Sequence, residues 1–349
     1  MKNKFRKGLT NIFVAIIFAG AAIFAMKYFD LWNKISDMVT PSEGISIDDI
    51  YIFKPKVKIV DLNSNSRSIG VSINNNHDSW PHAGLQDAYL CYELIAEGGI
   101  TRILAFYKDK DVEKIGSVRS ARHYFLDYVL ENDAIFVHYG QSPQALSDLK
   151  SLDIDNINGI YDTTSFFRDK TLNKSFEHTA FAKMSGIKKS IQKYKYRDTS
   201  DSMLLKYSPI KVNYNDDKTI VDANTVTIEY STYTTTKYVY DSENMVYKQY
   251  MSNVAQNDAV TGKQYTVKNI ITYKVRNSSI DSHDRQTLYN TGTGEGYYIT
   301  NGKAIKIKWV KNDRSSKTKY TDLSGNELIV NDGNTWIHIE PSDKKLNIE

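Results

Sequence analysis

Cysteine is almost absent. Cys91 stands alone among 349 residues, so no disulfide can close within the chain and a bridge-stapled secreted scaffold is excluded. Proline is scarce at six and glycine modest at 18, which excludes collagen-like and low-complexity chains. The body also lacks charge of one sign. Residues 1–27 carry five basic groups (Lys2, Lys4, Arg6, Lys7, Lys27) and no acid, and without them 40 basic face 41 acidic side chains. The net charge of +4 thus belongs to a short tail on a neutral body, and the basic stripe of a nucleic-acid binder is lacking. Arginine is the rarer cation, ten against 35 lysines. Long apolar runs number only one, which excludes a polytopic membrane fold.

That run, Gly8–Met26, is free of charge for 19 residues. As a helix it would span about 28 Å, close to a bilayer's hydrocarbon core. Lys2, Lys4, Arg6 and Lys7 precede it, so the positive-inside bias puts the N-terminus in the cytoplasm and residues 28–349 outside, on a single transmembrane anchor. The alternative is a cleaved signal peptide, with Ala19-Gly20-Ala21 as its small-residue site and a secreted body. Both export the body. An exported chain without disulfides fits a bacterial surface protein.

The pattern along the chain predicts an α+β protein. Residues 1–27 form the tail and anchor, and 28–66 a polar stalk. Residues 67–198 read as a mixed α/β domain, 199–220 as a linker, and 221–341 as a mainly antiparallel β domain. In the first half Ser68–Ile73 reads as a strand. Ala88–Ala96 and Ile100–Tyr107 read as a hairpin turning at Gly98-Gly99. Ser120–Leu130 has helical spacing, Ala134–Val137 is a short strand, and Ser142-Pro143 opens a helix with an N-cap and a proline at its first position. From Val221 onward, Thr-, Tyr- and Val-rich stretches alternate with turns such as Asn301-Gly302 and Asp332-Gly333.

Ile69–Asn75 (IGVSINN), Glu97–Arg102 (EGGITR), Ile115–Phe125 (IGSVRSARHYF), Asp133–Gly140 (DAIFVHYG), Phe167-Arg168-Asp169 and Gly333–Ile339 (GNTWIHI) together resemble the YerB-like putative lipoproteins of Gram-positive bacteria. The likeness runs in order over roughly residues 67–340. It implies a two-domain extracytoplasmic protein and speaks to fold and location rather than to mechanism. The chain departs from the pattern in having no lipobox cysteine, its hydrophobic run taking that place. Glu177 and Thr179 flank His178 where proline and asparagine are expected.

Turned at Gly98-Gly99, the hairpin would pair Glu97 with Ile100, Ile95 with Arg102 and Glu93 with Leu104. Glu93, Glu97 and Arg102 then share one face, because side chains alternate with period two. This is either a carboxylate pair tuned by an arginine for acid–base work or a salt-bridged sheet face. Arg119, Arg122 and His123 flank the start of the expected 120–130 helix, with Ser117 or Ser120 as cap, where an anion would be favoured. Arg102, Arg119, Arg122 and Arg168 are expected to converge on one concave site that takes an anion, with Asn75 nearby. The alternative is that these arginines neutralise Glu93 and Glu97.

His138 ends an apolar strand, and His138 or His178 would be the histidine of a catalytic set with Glu93 and Glu97. No histidine spacing suits a metal, no GxSxG elbow occurs, and Gly292, Gly294 and Gly296 precede no helix, so no metal or cofactor is expected. Two functions stay open. One is an envelope binding or accessory module for peptidoglycan, an anionic wall polymer or a wall-synthesis protein; the other is a wall-directed hydrolase or transferase.

Overall fold

Runs that are apolar without alternation take the middle of the fold, because a strand buried on both faces needs neighbours on both. The computed structural model describes residues 57–349, and the expected transmembrane anchor or signal lies outside them. Among the described residues no helix is long and apolar enough to cross a membrane. IGVSIN forms β1 (Ile69–Asn74), buried along its whole length. LCYELI forms β2 (Leu90–Ile95) and TRILAFY forms β3 (Thr101–Tyr107), the expected hairpin.

A short helix α1 (Phe125–Glu131) leads to β4 (Ile135–His138), and α2 (Pro143–Ser151) leads to β5 (Asn156–Asn158). The α2 start follows the sequence signal, since the Ser142 hydroxyl accepts from the Ala145 N–H at 3.2 Å with Pro143 in the first turn. α3 (Met184–Tyr194) buries Ile187 and Ile191 on one face.

The second segment supplies β6 (Thr225–Glu229), β7 (Thr235–Asp241), β8 (Val246–Met251), β9 (Asn269–Val275), β10 (Gly292–Thr300), β11 (Lys303–Lys311), β12 (Thr335–Pro341) and β13 (Leu346–Ile348). It is mainly antiparallel, as its alternation suggests, and its parallel strand in the large sheet joins the two segments. β12 is wholly buried and runs parallel to both β9 and β2.

A single eleven-stranded sheet therefore runs β11-β10-β9-β12-β2-β3-β1-β4-β5, with the short strand Val221–Asp222 at its β11 end and Lys319–Asp322 also pairing β11. The sheet is mixed: β1, β4 and β5 are parallel neighbours, and β3 is antiparallel to β1 and β2. A second, six-stranded sheet holds β8-β7-β6-β13 in order.

The segment 199–220, expected as a linker, is packed. Leu205 and Tyr207 are buried, and Lys206–Ser208 pairs in parallel with Ile329–Asn331. The Asn331 amide fixes the backbone of Val212 from both sides, accepting at 2.8 Å and donating at 3.2 Å. Its polar composition reflects backbone that is satisfied by side chains rather than by a ladder.

Candidate functional site

The β2–β3 turn decides which side chains can meet. Gly98 and Gly99 both adopt positive φ, 62° and 75°, as the sequence requires. The turn nevertheless closes one residue earlier than expected, with the Ala96 N–H donating to the Ile100 carbonyl at 2.7 Å. Strand partners are accordingly Ile95 with Thr101, Leu94 with Arg102 and Glu93 with Ile103. A slip of one residue sends every side chain to the other face. Glu93 and Arg102 therefore point to opposite sides of the sheet, and the expected shared Glu93–Glu97–Arg102 face does not form.

On one side Glu97 receives two arginines. Arg122 donates from Nε to Glu97 Oε2 at 2.9 Å and from Nη2 to Oε1 at 2.5 Å, a bidentate fork. Arg102 Nη2 donates to the same Oε1, and its Nη1 donates to the Ser120 carbonyl at 2.8 Å. The Arg102 and Arg122 side chains are 1% and 9% exposed, against 24% for Glu97. Burial disfavours the Glu97 anion, but Arg102 and Arg122 outweigh it and hold the carboxyl down at about 2. Burial first, and Arg122 second, bring Arg102 down to about 9, still protonated at neutral pH. Two cations share one carboxylate, and Arg102 Nε is buried without a partner.

The segment carrying Arg119 and Arg122 lies across the C-terminal ends of the parallel strands β1 and β4. The Arg119 N–H donates to Ser72 O at 2.8 Å, Tyr139 N–H to Arg119 O at 3.0 Å, and Ala121 N–H to Gly140 O at 2.9 Å. This is the edge at which open sheets with parallel strands form ligand crevices. The expected helix from residue 120 starts only at Phe125, with Tyr124 at its cap position and no side-chain cap bond. Residues 119–121 have given their backbone groups to β1 and to the chain after β4 instead. The arginines thus precede a seven-residue helix and do not sit on its N-terminus.

Arg119 and Arg168 lie in the same region without joining Glu97. Arg119 Nη2 donates to Glu177 Oε2 at 2.8 Å, and Arg119 adds to the positive field that lowers Arg102. Arg168 donates to the Phe176 carbonyl, and its guanidinium lies 3.4 Å from the Phe176 ring centre and 4.8 Å from that of Tyr139. Gly159 gives Tyr139 its room, because a Cβ there would stand 2.3 Å from the ring. Phe176 and Tyr161 are 72% and 76% exposed.

On the other side Glu93 is enclosed. Its Oε1 accepts from Thr101 at 2.7 Å and Asn75 at 3.2 Å, and its Oε2 accepts from Thr236 of β7 at 2.8 Å. Asn75, expected at an anion site, is committed here, and its Oδ1 accepts from Trp80 Nε1 at 3.0 Å. Burial pushes Glu93 up to about 7 although all three donors oppose it.

His338 of β12 stands 3.5 Å from Glu93 Oε2, with Tyr230 Oη 2.9 Å from Nδ1 and Tyr238 Oη 2.9 Å from Nε2. Tyr230 donates to the Glu93 carbonyl and Tyr238 accepts from Gln249. That pattern assigns the imidazole proton to Nδ1, and burial holds His338 neutral, down to about 3. Glu340, two residues on, is buried with both oxygens unpartnered; burial pushes it up to about 8, with Lys274 pulling the other way. The whole cluster lies between β2 and β12 on one sheet and β6 and β7 on the other.

The remaining histidines are separate. His138 is buried with Gly140 O 2.8 Å from Nδ1 and Asn156 Oδ1 3.1 Å from Nε2. His178 Nδ1 accepts from Asn74 Nδ2 at 2.7 Å, leaving Nε2 3.7 Å from Glu177. His123 contacts Thr287 at 3.0 Å. Among the described residues no group of three or more His, Cys, Asp and Glu side chains is placed to hold a metal ion.

Neither the buried pair of Lys311 and Glu131, at 2.8 Å, nor the Glu93–His338 contact follows from sequence spacing. For the second contact the signal is polar residues inside apolar runs, Glu93 in β2 and His338 and Glu340 in β12.

Two sequence segments that share one mixed sheet, the first carrying an arginine–glutamate cluster at its edge, define a two-part α+β protein. This chain belongs to the DUF3048 family: the "Protein of unknown function (DUF3048) N-terminal domain" matches residues 57–197 and the corresponding C-terminal domain matches 226–337. Its curated relatives include the "Putative lipoprotein YerB" of Bacillus subtilis (strain 168), 30% identical over 279 residues, 79% of this chain and 81% of that protein. The crystal structure of Bacillus subtilis YerB superposes with a TM-score of 0.71 at 26% identity, covering 84% of this chain and 97% of that one. The resemblance read from the motifs is thereby established.

Proposed function

We propose that this chain is a membrane-anchored, extracytoplasmic envelope protein that binds an anionic group of a wall component, or of a wall-synthesis partner, in the arginine crevice. The observation that carries the reading is the charge count at the crevice. Two buried guanidiniums share one carboxylate, and one of their N–H groups is unpartnered. Arg119 beside them pairs with Glu177, and among the described residues Arg168 forms no ion pair. A carboxylate from a peptide stem or a phosphate from a wall polymer would complete the set. The lipoprotein name of the YerB relative and the Gly8–Met26 run support the location.

The alternative of a wall-directed hydrolase or transferase has less support, since Glu93, Glu97 and His138 lie in three separate networks. The test is paired. A charge-assisted hydrogen bond contributes about 1.5–3 kcal/mol, so Arg122→Ala weakens binding of inorganic phosphate or acetyl-D-Ala-D-Ala by roughly tenfold or more. Calorimetric titration and thermal melts of the full chain, with Arg119→Ala alongside, read both sides. A loss of stability with no anion bound by the unmutated chain leaves the arginines a purely structural role.

A further inference from the structure

A concavity of about 260 Å³ lies between the 211–220 stretch and β10–β11 and uses none of the arginine, Glu93 or Glu97 site residues. One wall is Tyr214, whose hydroxyl donates to the Ile329 carbonyl at 2.5 Å and whose ring stands at 79° to that of Tyr298. Asn213 and Asn215 flank it, and Asn301 lines the cavity at the β10–β11 turn. Asn301 Oδ1 accepts from Lys268 Nζ at 2.6 Å, while Asn301 Nδ2 is buried without a partner. Lys211 also lines the cavity and, among the described residues, forms no ion pair. Lys268 is not part of the lining: its Nζ also donates to the Met245 carbonyl at 2.8 Å, and it holds Asn301 in place. Lys303 lines the cavity too and pairs with Asp222.

We propose that this cavity binds a sugar unit bearing an acidic group, with Tyr214 against the sugar ring, the asparagine amides on its hydroxyls, and Lys211 and Asn301 Nδ2 at its carboxylate or phosphate ester. An unpaired ammonium with an unused amide N–H between polar walls is complementary to an oxyanion. The volume is below the roughly 300–1,000 Å³ of sites for drug-sized ligands, which suits one sugar unit rather than a long segment. Amides and a tyrosine ring beside the cations favour a sugar acid over a bare ion.

The experiment titrates the full-length chain in detergent with hyaluronan hexasaccharide, the neutral chitohexaose and inorganic phosphate. Hyaluronan binds at least about tenfold more tightly than either of the others. Lys211→Gln and Asn301→Asp each weaken it by about tenfold or more without lowering the melting temperature. Aspartate tolerates the left-handed backbone at Asn301 and still holds Lys268, but repels the acid. If Asn301→Asp perturbs the fold, Lys211→Gln, at an exposed position, decides alone. Absence of hyaluronan binding overturns the proposal. So does equal binding of chitohexaose or phosphate, or variants that bind as the unmutated chain does. Arg122→Ala leaves this binding unchanged, which separates a failure here from a failure of the arginine crevice.

Discussion

Replacing Glu93 by glutamine removes a proton equilibrium from between the two sheets while keeping the shape of the side chain. Burial raises the Glu93 carboxyl from its ordinary 4.5 to about 7. Below 4.5 the group is protonated in both the folded and the unfolded chain and contributes no pH dependence. Between 4.5 and 7 the folded chain holds a proton that the unfolded chain releases, so stability falls as pH rises. Above 7 the fall is complete, at about 3 kcal/mol. Glutamine has no such proton, and its amide meets the Thr101 and Thr236 hydroxyls, which can rotate to donate or accept. Any lost hydrogen bond gives a constant offset of about 1 kcal/mol and leaves the slope alone. Urea unfolding at pH 5 and pH 8 should show the unmutated chain losing on the order of 2–3 kcal/mol more than Glu93→Gln over that interval. Glu340 adds a similar slope to both proteins and cancels in the comparison. Superimposable pH profiles would refute the reasoning, because they would mean that Glu93 titrates as it does in water.

Lys311→Met strands the Glu131 carboxylate, since both side chains are fully buried and 2.8 Å apart. A cost of about 3–5 kcal/mol follows, roughly 10 °C in melting temperature, and adding Glu131→Gln should recover part of it in a double-mutant cycle. Ser142→Ala removes the N-cap of α2 and should cost about 1 kcal/mol in chemical denaturation, with Ser142→Asp restoring most of it.

Local pattern reached the strands because burial writes itself into sequence at period two or as unbroken apolar runs. Val226 and Ile228 alternate with half-buried threonines on β6, and IGVSIN is buried throughout. Glycines at 98 and 99 marked where the chain reverses, but not how many residues the turn consumes. That one-residue difference moved Glu93 from the arginine side to the tyrosine side. The Glu97 cluster was legible in part, as Arg102 and Arg122 lie only five and 25 positions away. The partners of Glu93 were not: Thr236 is 143 positions distant and Tyr230 is 137. Contacts of that range are set by sheet order, which no window of sequence encodes. The packed course of 199–220 was hidden for a related reason, because its backbone is satisfied by side chains such as Asn331 and leaves no ladder periodicity.

β12 is one of the last strands to be synthesised, yet it fills the gap between β2 and β9. The pair of Cys91 with Trp336 spans about 245 residues, a separation that makes closure of the sheet slow relative to its hairpins. Until Pro341 is available, the apolar LCYELI strand has an open edge, a template for pairing with another chain. The first segment is therefore expected to aggregate when expressed alone rather than persist as a half-folded module. A nonsense mutation near residue 330 would remove the middle of the sheet, not its end.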